Sequence, residues 1–374
     1  MNNRIKTKYS KEELITIVQE CFSEKPRPMS HDEITDFLEE ELCKYVNALI
    51  DIRRKGLKNL SFLDKTKTVA ILNGELIKGC SICLSSGLIP LKTSTKCQLQ
   101  CDFCTDVIAT NLLTNETNLD TLPLSKNQVI FSGLKHSLDS FKVFLTKQSS
   151  LHKGIAWVSR GEPLLELDKI KELMPVISKL GIYQWIYTNG VLLDEDTLKL
   201  LVDCGLNELR INLQASNFSE DIIKKLELCK KYFDLLVIES PMYSLSFPNF
   251  IKYTPILIDS GVVQINTPEL QIFQNTLDRF YDTEGLLYRY NKGSVSPISS
   301  VLFIYDYLNI CEDKNWKVVV NTCANSNKFY RGCSDKIIGS IDYNTFMKFL
   351  PFHSYLFIID KYFSNSGNSE WEVF

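Results

Sequence analysis

Histidine is scarce in this chain: four residues in 374, His31, His136, His152 and His353, with no two at a metal-binding spacing. That argues against a histidine-ligated zinc hydrolase. Positive charge is not in excess either. Lys and Arg number 42 against 45 Asp and Glu, a net charge of −3, and the densest basic stretch, Lys224-Lys225 with Lys230-Lys231, falls in an amphipathic helix pattern that reads as a solvated face. Nucleic-acid binding therefore has no electrostatic support. No apolar run approaches the length of a bilayer span, and Met1 to Ser10 is polar, unlike a secretory signal. A cytoplasmic location is expected. Internal repeats are absent, and the one biased tract is a short Ser/Asn patch from Ser364 to Ser369. Against these absences cysteine is abundant, at twelve residues. In a chain without an export signal that points to metal or redox chemistry rather than a disulfide framework.

With 44% hydrophobic and 23% charged residues the chain reads as globular, and 374 residues suffice for a large core. From Leu88 to Phe273 short apolar runs alternate with helical patterns, the signature of repeated β/α units and a parallel sheet. Six strands are expected: Leu88 to Ser94, Gly154 to Ser159, Tyr183 to Tyr187, Glu208 to Leu213, Leu235 to Glu239 and Val262 to Asn266. Asp168, Asp194 and Ser219 open the helices between them, which stop near Gly181 and Gly205. The expected fold is α/β, a partial (β/α)6 barrel over residues 88–274. Residues 1–66 read as a helical appendage with capping boxes at Ser10…Glu13 and Ser30…Glu33. Residues 67–87 read as a hairpin on an Asn73-Gly74 type I′ turn carrying Cys80 and Cys83, and residues 275–374 as a further segment with a helix from Ser299 to Glu312 and a strand from Trp316 to Asn321. Within the barrel, Thr114 to Leu124 reads as a loop and about Leu134 to Lys147 as a helix.

The polar motifs fall where a β/α barrel builds its active site, at the C-terminal ends of the strands. Cys97-Gln-Leu-Gln-Cys101-Asp-Phe103-Cys104 follows the first strand, Arg160-Gly161-Glu162-Pro163 the second, and Thr188-Asn189-Gly190 the third; Asn212-Leu213-Gln214 ends the fourth and Asn266-Thr267 the sixth. Three thiolates on one tight loop can hold three irons of a four-iron cluster and leave the fourth iron open. Read without further context, the triplet is also compatible with a zinc knuckle or with buried core thiols.

The C-x3-C-x2-C spacing with an aromatic residue before the third cysteine resembles the radical S-adenosylmethionine (radical SAM) superfamily, and Gly161-Glu162-Pro163 is similar to its GEP motif. The resemblance covers about Leu88 to Phe273. It implies a 4Fe-4S cluster on Cys97, Cys101 and Cys104, SAM bound at the open iron, and reductive cleavage to a 5′-deoxyadenosyl radical that abstracts hydrogen from substrate. It further implies that Gly161 and Glu162 receive the SAM amino group, that Asn212 and Gln214 meet its ribose and carboxylate, that Phe103 packs on adenine, and that Thr188 and Asn189 line the same pocket. Arg160 stands where many members have a glycine. A flavodoxin- or ferredoxin-type electron donor is implied as partner.

Cys80, Cys83, Cys323 and Cys333, with Cys311 as an alternate, lie outside that core and are candidates for a second cluster, a zinc site or unconnected thiols; their spacings do not match the C-terminal SPASM pattern. Cys21, Cys43, Cys204 and Cys229 sit in helical patterns and read as core. The expected substrate is a peptide or protein, with a small metabolite or RNA as the alternatives, and a non-catalytic cysteine-rich metal scaffold as the non-enzymatic one.

Overall fold

The computed structural model describes residues 51–323, except 64–68, 86, 105–123, 132–133, 149–151, 159–160, 273–275, 281–286 and 292–293, together with the short strands Ile5–Lys6 and Glu370–Trp371. The appendage expected before residue 51, Cys21, Cys43, Arg160, Cys333, the loop over 114–123 and the Ser364 to Ser369 patch lie outside the described residues.

In chain order the elements are β1 (Leu60–Phe62), β2 (Ala70–Leu72), α1 (Lys78–Leu84), β3 (Leu88–Lys92), β4 (Gln128–Phe131), β5 (Leu134–Ser137), α2 (Leu138–Gln148), β6 (Gly154–Val158), α3 (Leu167–Lys179), β7 (Tyr183–Thr188), α4 (Glu195–Asp203), β8 (Glu208–Ile211), α5 (Glu220–Lys230), β9 (Leu236–Glu239), α6 (Phe247–Asp259), β10 (Val262–Asn266), β11 (Leu287–Asn291), β12 (Ser294–Pro297), α7 (Ile298–Asp313) and β13 (Val319–Asn321). Eleven strands form one sheet in the order β1-β2-β13-β10-β9-β8-β7-β6-β3-β4-β5. The seven from β13 to β3 run parallel, and the two strands added at each edge run antiparallel. The sheet is therefore open: β1 and β5, its two edges, do not pair.

Order in the sheet follows order in the chain from β6 through β10 to β13. Successive crossovers step the same way, and because such crossovers are right-handed, their helices fall on one face. That face is closed by apolar side chains: Ile155, Trp157, Ile186, Leu209, Ile211, Ile238, Ile265 and Val320 share a core with helix residues such as Ile170, Leu173, Leu198, Leu226, Leu257 and Leu308. Both faces of the parallel strands are buried, as expected where helices and loops cover them. Two helix starts are capped as the sequence implies, with Asp194 accepting from Thr197 N at 2.8 Å and Ser219 Oγ from Ile222 N at 3.4 Å, whereas Asp168 lies inside the first turn of α3, whose start carries no side-chain cap.

The opposite, inner face is different. Period-2 alternation turns Ala156, Tyr183 and Trp185 inward, where they meet Ile82 of α1. Glu208, Arg210, Gln264, Asn266 and Asn321 also meet α1 or its Cys80 on this side. We call the space bounded by this face and α1 the lumen.

Three expectations differ from the structure. Asn73-Gly74 does not turn a hairpin. Asn73 takes φ +65° and donates to Trp316 O at 3.0 Å, while the free edge of β2 is occupied by β13, so the chain runs from Gly74 directly into α1. Residues 134–137 are a strand rather than the first turn of a helix, because they pair in register with Gln128–Phe131. The fourth strand ends at Ile211, and Asn212 caps the 3-10 turn Leu213–Ser216.

Candidate active site

β3 is followed by Thr93 and Ser94, both fully buried, which hand the chain to the cysteine loop. The buried Lys169 ammonium, which pairs with Glu166 at 3.5 Å, donates to Thr93 O at 2.7 Å, and Ser94 Oγ accepts from Lys96 N at 3.0 Å, which fixes the exit from the strand. Cys97 is exposed, whereas Cys101 and Cys104 are half-buried and joined by a turn in which Cys104 N donates to Cys101 O at 3.1 Å. Burial pushes the Cys101 thiol up to about 12, and the neighbouring Cys104 and Cys97 push the same way. The three thiols thus share one field. A bound cation would reverse that field and favour the thiolates, as metal ligation does. Their donor chemistry fits an iron-sulfur cluster, although no group of three His, Cys, Asp or Glu side chains among the described residues is already gathered in metal-holding geometry.

The loop is anchored to the Gly161-Glu162 turn after β6. Glu162 N donates to Lys96 O at 2.7 Å, and a Cβ on Gly161 would overlap that same Lys96 carbonyl. Glycine is required by this close backbone approach. Gly161→Ala is accordingly expected to lower stability by ~1–3 kcal/mol, the usual cost of overpacking. Urea denaturation reads this directly, and an unchanged midpoint would contradict the packing argument.

Glu162 itself is buried. Its carboxylate accepts from Leu164 N at 3.1 Å, Thr188 Oγ1 at 2.8 Å and Asn189 N at 2.8 Å. Burial raises its pKa, and those three hydrogen bonds act against the rise. An ionised carboxylate offers about four acceptor positions, so one remains. Asn189 continues the chain of contacts: its Oδ1 accepts from Gln98 Nε2 at 3.1 Å, and its Nδ2 lies 3.6 Å from Cys97 Sγ. Glu162, Thr188 and Asn189, chosen on sequence, are therefore one network that reaches the first cysteine.

On the other side of the loop, Cys101 Sγ lies 3.7 Å from Ala215 O. Asn212 accepts from Ala215 N at 3.2 Å and Ser240 Oγ at 3.0 Å, so its side chain caps the turn. Gln214 donates to Tyr243 OH at 2.9 Å, but its buried Oε1 has no hydrogen-bond partner among the described residues. Phe103 and Tyr243 hold their rings 6.3 Å apart at 57°. A pocket wall with two aromatic rings and an unpaired acceptor suits a ligand with a flat amine-bearing ring. Tyr243 gave no signal in the sequence beyond lying shortly after a strand.

The lumen holds what sequence reasoning missed. Arg210, 2% exposed, donates to Glu208 Oε1 at 2.6 Å, Glu239 Oε2 at 2.9 Å, Tyr187 OH at 2.8 Å and Cys80 Sγ at 3.3 Å. Cys80 also receives Gln264 Nε2 at 3.1 Å and Asn266 Nδ2 at 3.5 Å. Burial raises the Cys80 thiol to about 11, with Arg210 pulling the other way. Cys323, buried, feels Cys80 and Cys83, whereas Cys311 is buried within α7 against Tyr307. The structure thus brings Cys80, Cys83 and Cys323 to one region and leaves Cys311 apart. The available signal was Glu208 and Arg210 at alternate positions of a strand otherwise apolar.

No family model matches the chain. Over 176 residues it is 24% identical to a Methanocaldococcus jannaschii protein named "Putative glycyl-radical enzyme activating enzyme", covering 45% of this chain and 43% of that one. Over 133 residues it is 30% identical to an uncharacterized protein of the same organism, covering 34% and 46%. The chain therefore spans less than half the length of these curated relatives. Among solved structures, SuiB of Streptococcus suis bound to S-adenosylmethionine is similar at a TM-score of 0.40 and 12% identity, covering 61% of this chain and 48% of that one. The radical S-adenosylmethionine methyltransferase TsrM of Kitasatospora setae is similar at 0.35 and 13%, covering 54% and 40%. A three-cysteine loop after the first parallel strand, a Gly-Glu-Pro turn locked to it, and the likeness to an activating enzyme are the features in which this chain is similar to the radical SAM superfamily.

Proposed function

We propose that the chain is an enzyme that binds a 4Fe-4S cluster through Cys97, Cys101 and Cys104, binds SAM beside it, and uses the pair to abstract hydrogen from a peptide or protein. When bound, the cluster supplies the electron that cleaves SAM to methionine and a 5′-deoxyadenosyl radical. The observation that carries this reading is the hydrogen-bonded path from Glu162 through Asn189 to Cys97, which ties a carboxylate with one open acceptor position to the cysteine loop.

In this reading Glu162 takes the SAM ammonium in a charge-assisted bond. Thr188 and the Leu164 and Asn189 amides hold the carboxylate ionised and oriented. Gly161 lets the turn approach the loop. Phe103 and Tyr243 flank adenine, Gln214 Oε1 accepts from its amino group, and Asn212 supports the turn that carries Gln214. A flavodoxin- or ferredoxin-type partner would deliver the electron at the exposed Cys97 edge. Support for a protein substrate comes from the relative above, whose name makes another enzyme its target. No described helix is long and apolar enough to cross a membrane.

Glu162→Gln tests the assignment, because an amide NH2 end cannot accept and forfeits the charge. SAM affinity in anaerobic titration is expected to fall roughly ten-fold with iron content unchanged. Wild-type affinity in that variant would remove Glu162 from the SAM site.

A further inference from the structure

The lumen carries an unbalanced charge. Arg210 is its one buried cation among the described residues, facing two carboxylates, Glu208 and Glu239. Glu208 is engaged through both oxygens, since Oε1 takes Arg210 and Oε2 takes Gly79 N at 3.2 Å and Tyr183 OH at 3.1 Å. Glu239 is not. Its Oε2 accepts from both Arg210 at 2.9 Å and Asn266 Nδ2 at 2.8 Å, while Oε1 accepts nothing from the described residues and the side chain keeps 13% exposure. A second polar atom on this face is unpartnered: Trp185, fully buried with the Arg210 guanidinium 5.3 Å over its ring, has an indole N–H without an acceptor among the described residues.

Position matters as much as charge. Glu239, Asn266 and Asn321 are register partners at the C-terminal ends of β9, β10 and β13, and Tyr187 is the register partner of Arg210. This is the end of the sheet from which the cysteine loop also springs. Lys78 is exposed and lies 4.9 Å over the Tyr183 ring, beside Glu208 rather than Glu239, and Lys92, the register partner of Val158, stands at the end of β3, four strands from β9. A partly buried carboxylate with a free oxygen in a net negative pocket is stabilised by one further positive charge.

We propose that Glu239 is the substrate-recognition group of this site and that the substrate presents a cationic amine to it: a lysine or arginine side chain, or an amino terminus, of a peptide or protein. The inference rests on the function proposed above and names the chemistry of its substrate. The ammonium meets Glu239 Oε1 while Arg210 and Asn266 hold Oε2 in place. Tyr187 and the Cys323 thiol, which lie in the field of Glu239, and Cys83, which neighbours both of them, form the surrounding wall.

The test reads the lumen without cluster, SAM or substrate. Cys83 is partly exposed, so its labelling by a cationic (trimethylammonium) and an anionic (sulfonate) ethyl methanethiosulfonate, followed by peptide mass mapping in the full chain with chelator present, reports the local potential. Wild type is expected to favour the cationic reagent on the order of ten-fold at low salt, and n-butylammonium, not n-butanol, is expected to slow labelling. Glu239→Gln should lose both effects; if that variant does not fold, Glu239→Asp, which keeps the charge, must retain the cationic preference. Equal rates for the two reagents in wild type, or a preference and protection that survive in Glu239→Gln, would overturn the proposal. A cationic preference that appears only once chelator removes a metal would also overturn it, and would give the site to a metal ion. Uncoupled SAM cleavage by wild type reports separately on the radical SAM reading and enters neither outcome.

Discussion

A chain carrying Cys97→Ala, Cys101→Ala and Cys104→Ala together is expected to form no 5′-deoxyadenosine above the reductant-only background, while folding as the wild type does. The stability half follows from how little these side chains hold. Cys97 is exposed, and the contacts of Cys97 and Cys101 are weak ones: Leu99 N at 3.4 Å and Asn189 Nδ2 at 3.6 Å from Cys97, and Ala215 O at 3.7 Å from Cys101. Truncating one exposed and two half-buried thiols is expected to cost about 1 kcal/mol or less each. Chromatography of the SAM products and a urea melt check the two halves, and undiminished cleavage would sink the cluster assignment. The same protein decides what Cys80, Cys83, Cys323 and Cys333 do. Residual iron and sulfide of about four each would mean a second cluster, one zinc would mean a structural clip, and neither metal would leave the thiols unconnected.

The largest loss of stability is expected at Arg210, not in the cysteine loop. Arg210→Met strands Glu208 and Glu239 and removes a donor from Cys80 and Tyr187, all on the lumen face. Removing one partner of a buried ion pair costs about 3–5 kcal/mol, a large part of what a domain has in hand. Chemical denaturation gives the value. Adding Glu208→Gln to Arg210→Met should recover part of it, because the penalty lies in the orphaned charge rather than in the missing contact. A single variant as stable as wild type would show that water reaches this face and that the lumen is not closed by α1.

The parallel core was legible because each strand is a short apolar run and two of its helices, α4 and α5, open on a capping side chain. Val262–Asn266 matches its expected bounds, and α7 differs by one residue at each end. The Gly-Glu-Pro turn was legible for a different reason: its chemistry is local, and Gly161, Glu162, Thr188 and Asn189 all sit just beyond strands whose ends the sequence marks. What the sequence hid depends on long separations. Asn73-Gly74 has the composition of a hairpin turn, but β13, about 250 residues away, takes the edge that the hairpin needed. The lumen was hidden likewise, because Cys80 on α1 meets Arg210, Gln264 and Asn266 only after three strands have been laid side by side. Gln214 was legible as a polar group at a strand end, yet its orphan oxygen is visible only once Tyr243 has taken its amide.

The step-by-step strand order has a consequence for assembly. Between β6 and β10 every new strand docks beside the one just made, across a single helix, so closure entropy grows slowly and this portion can zip up along the chain. The seam at β13 is of another kind. There β2 joins β13, Arg53 pairs with Asp306, and Lys58 and Asn59 amides bind Glu312, all across separations near 250 residues. The platform for cofactor can therefore form from local pieces, whereas the chamber behind it waits for the two halves of the chain to meet. Slow refolding phases should accordingly report on Trp316, beside the seam, and not on Trp157 and Trp185 in the early strands.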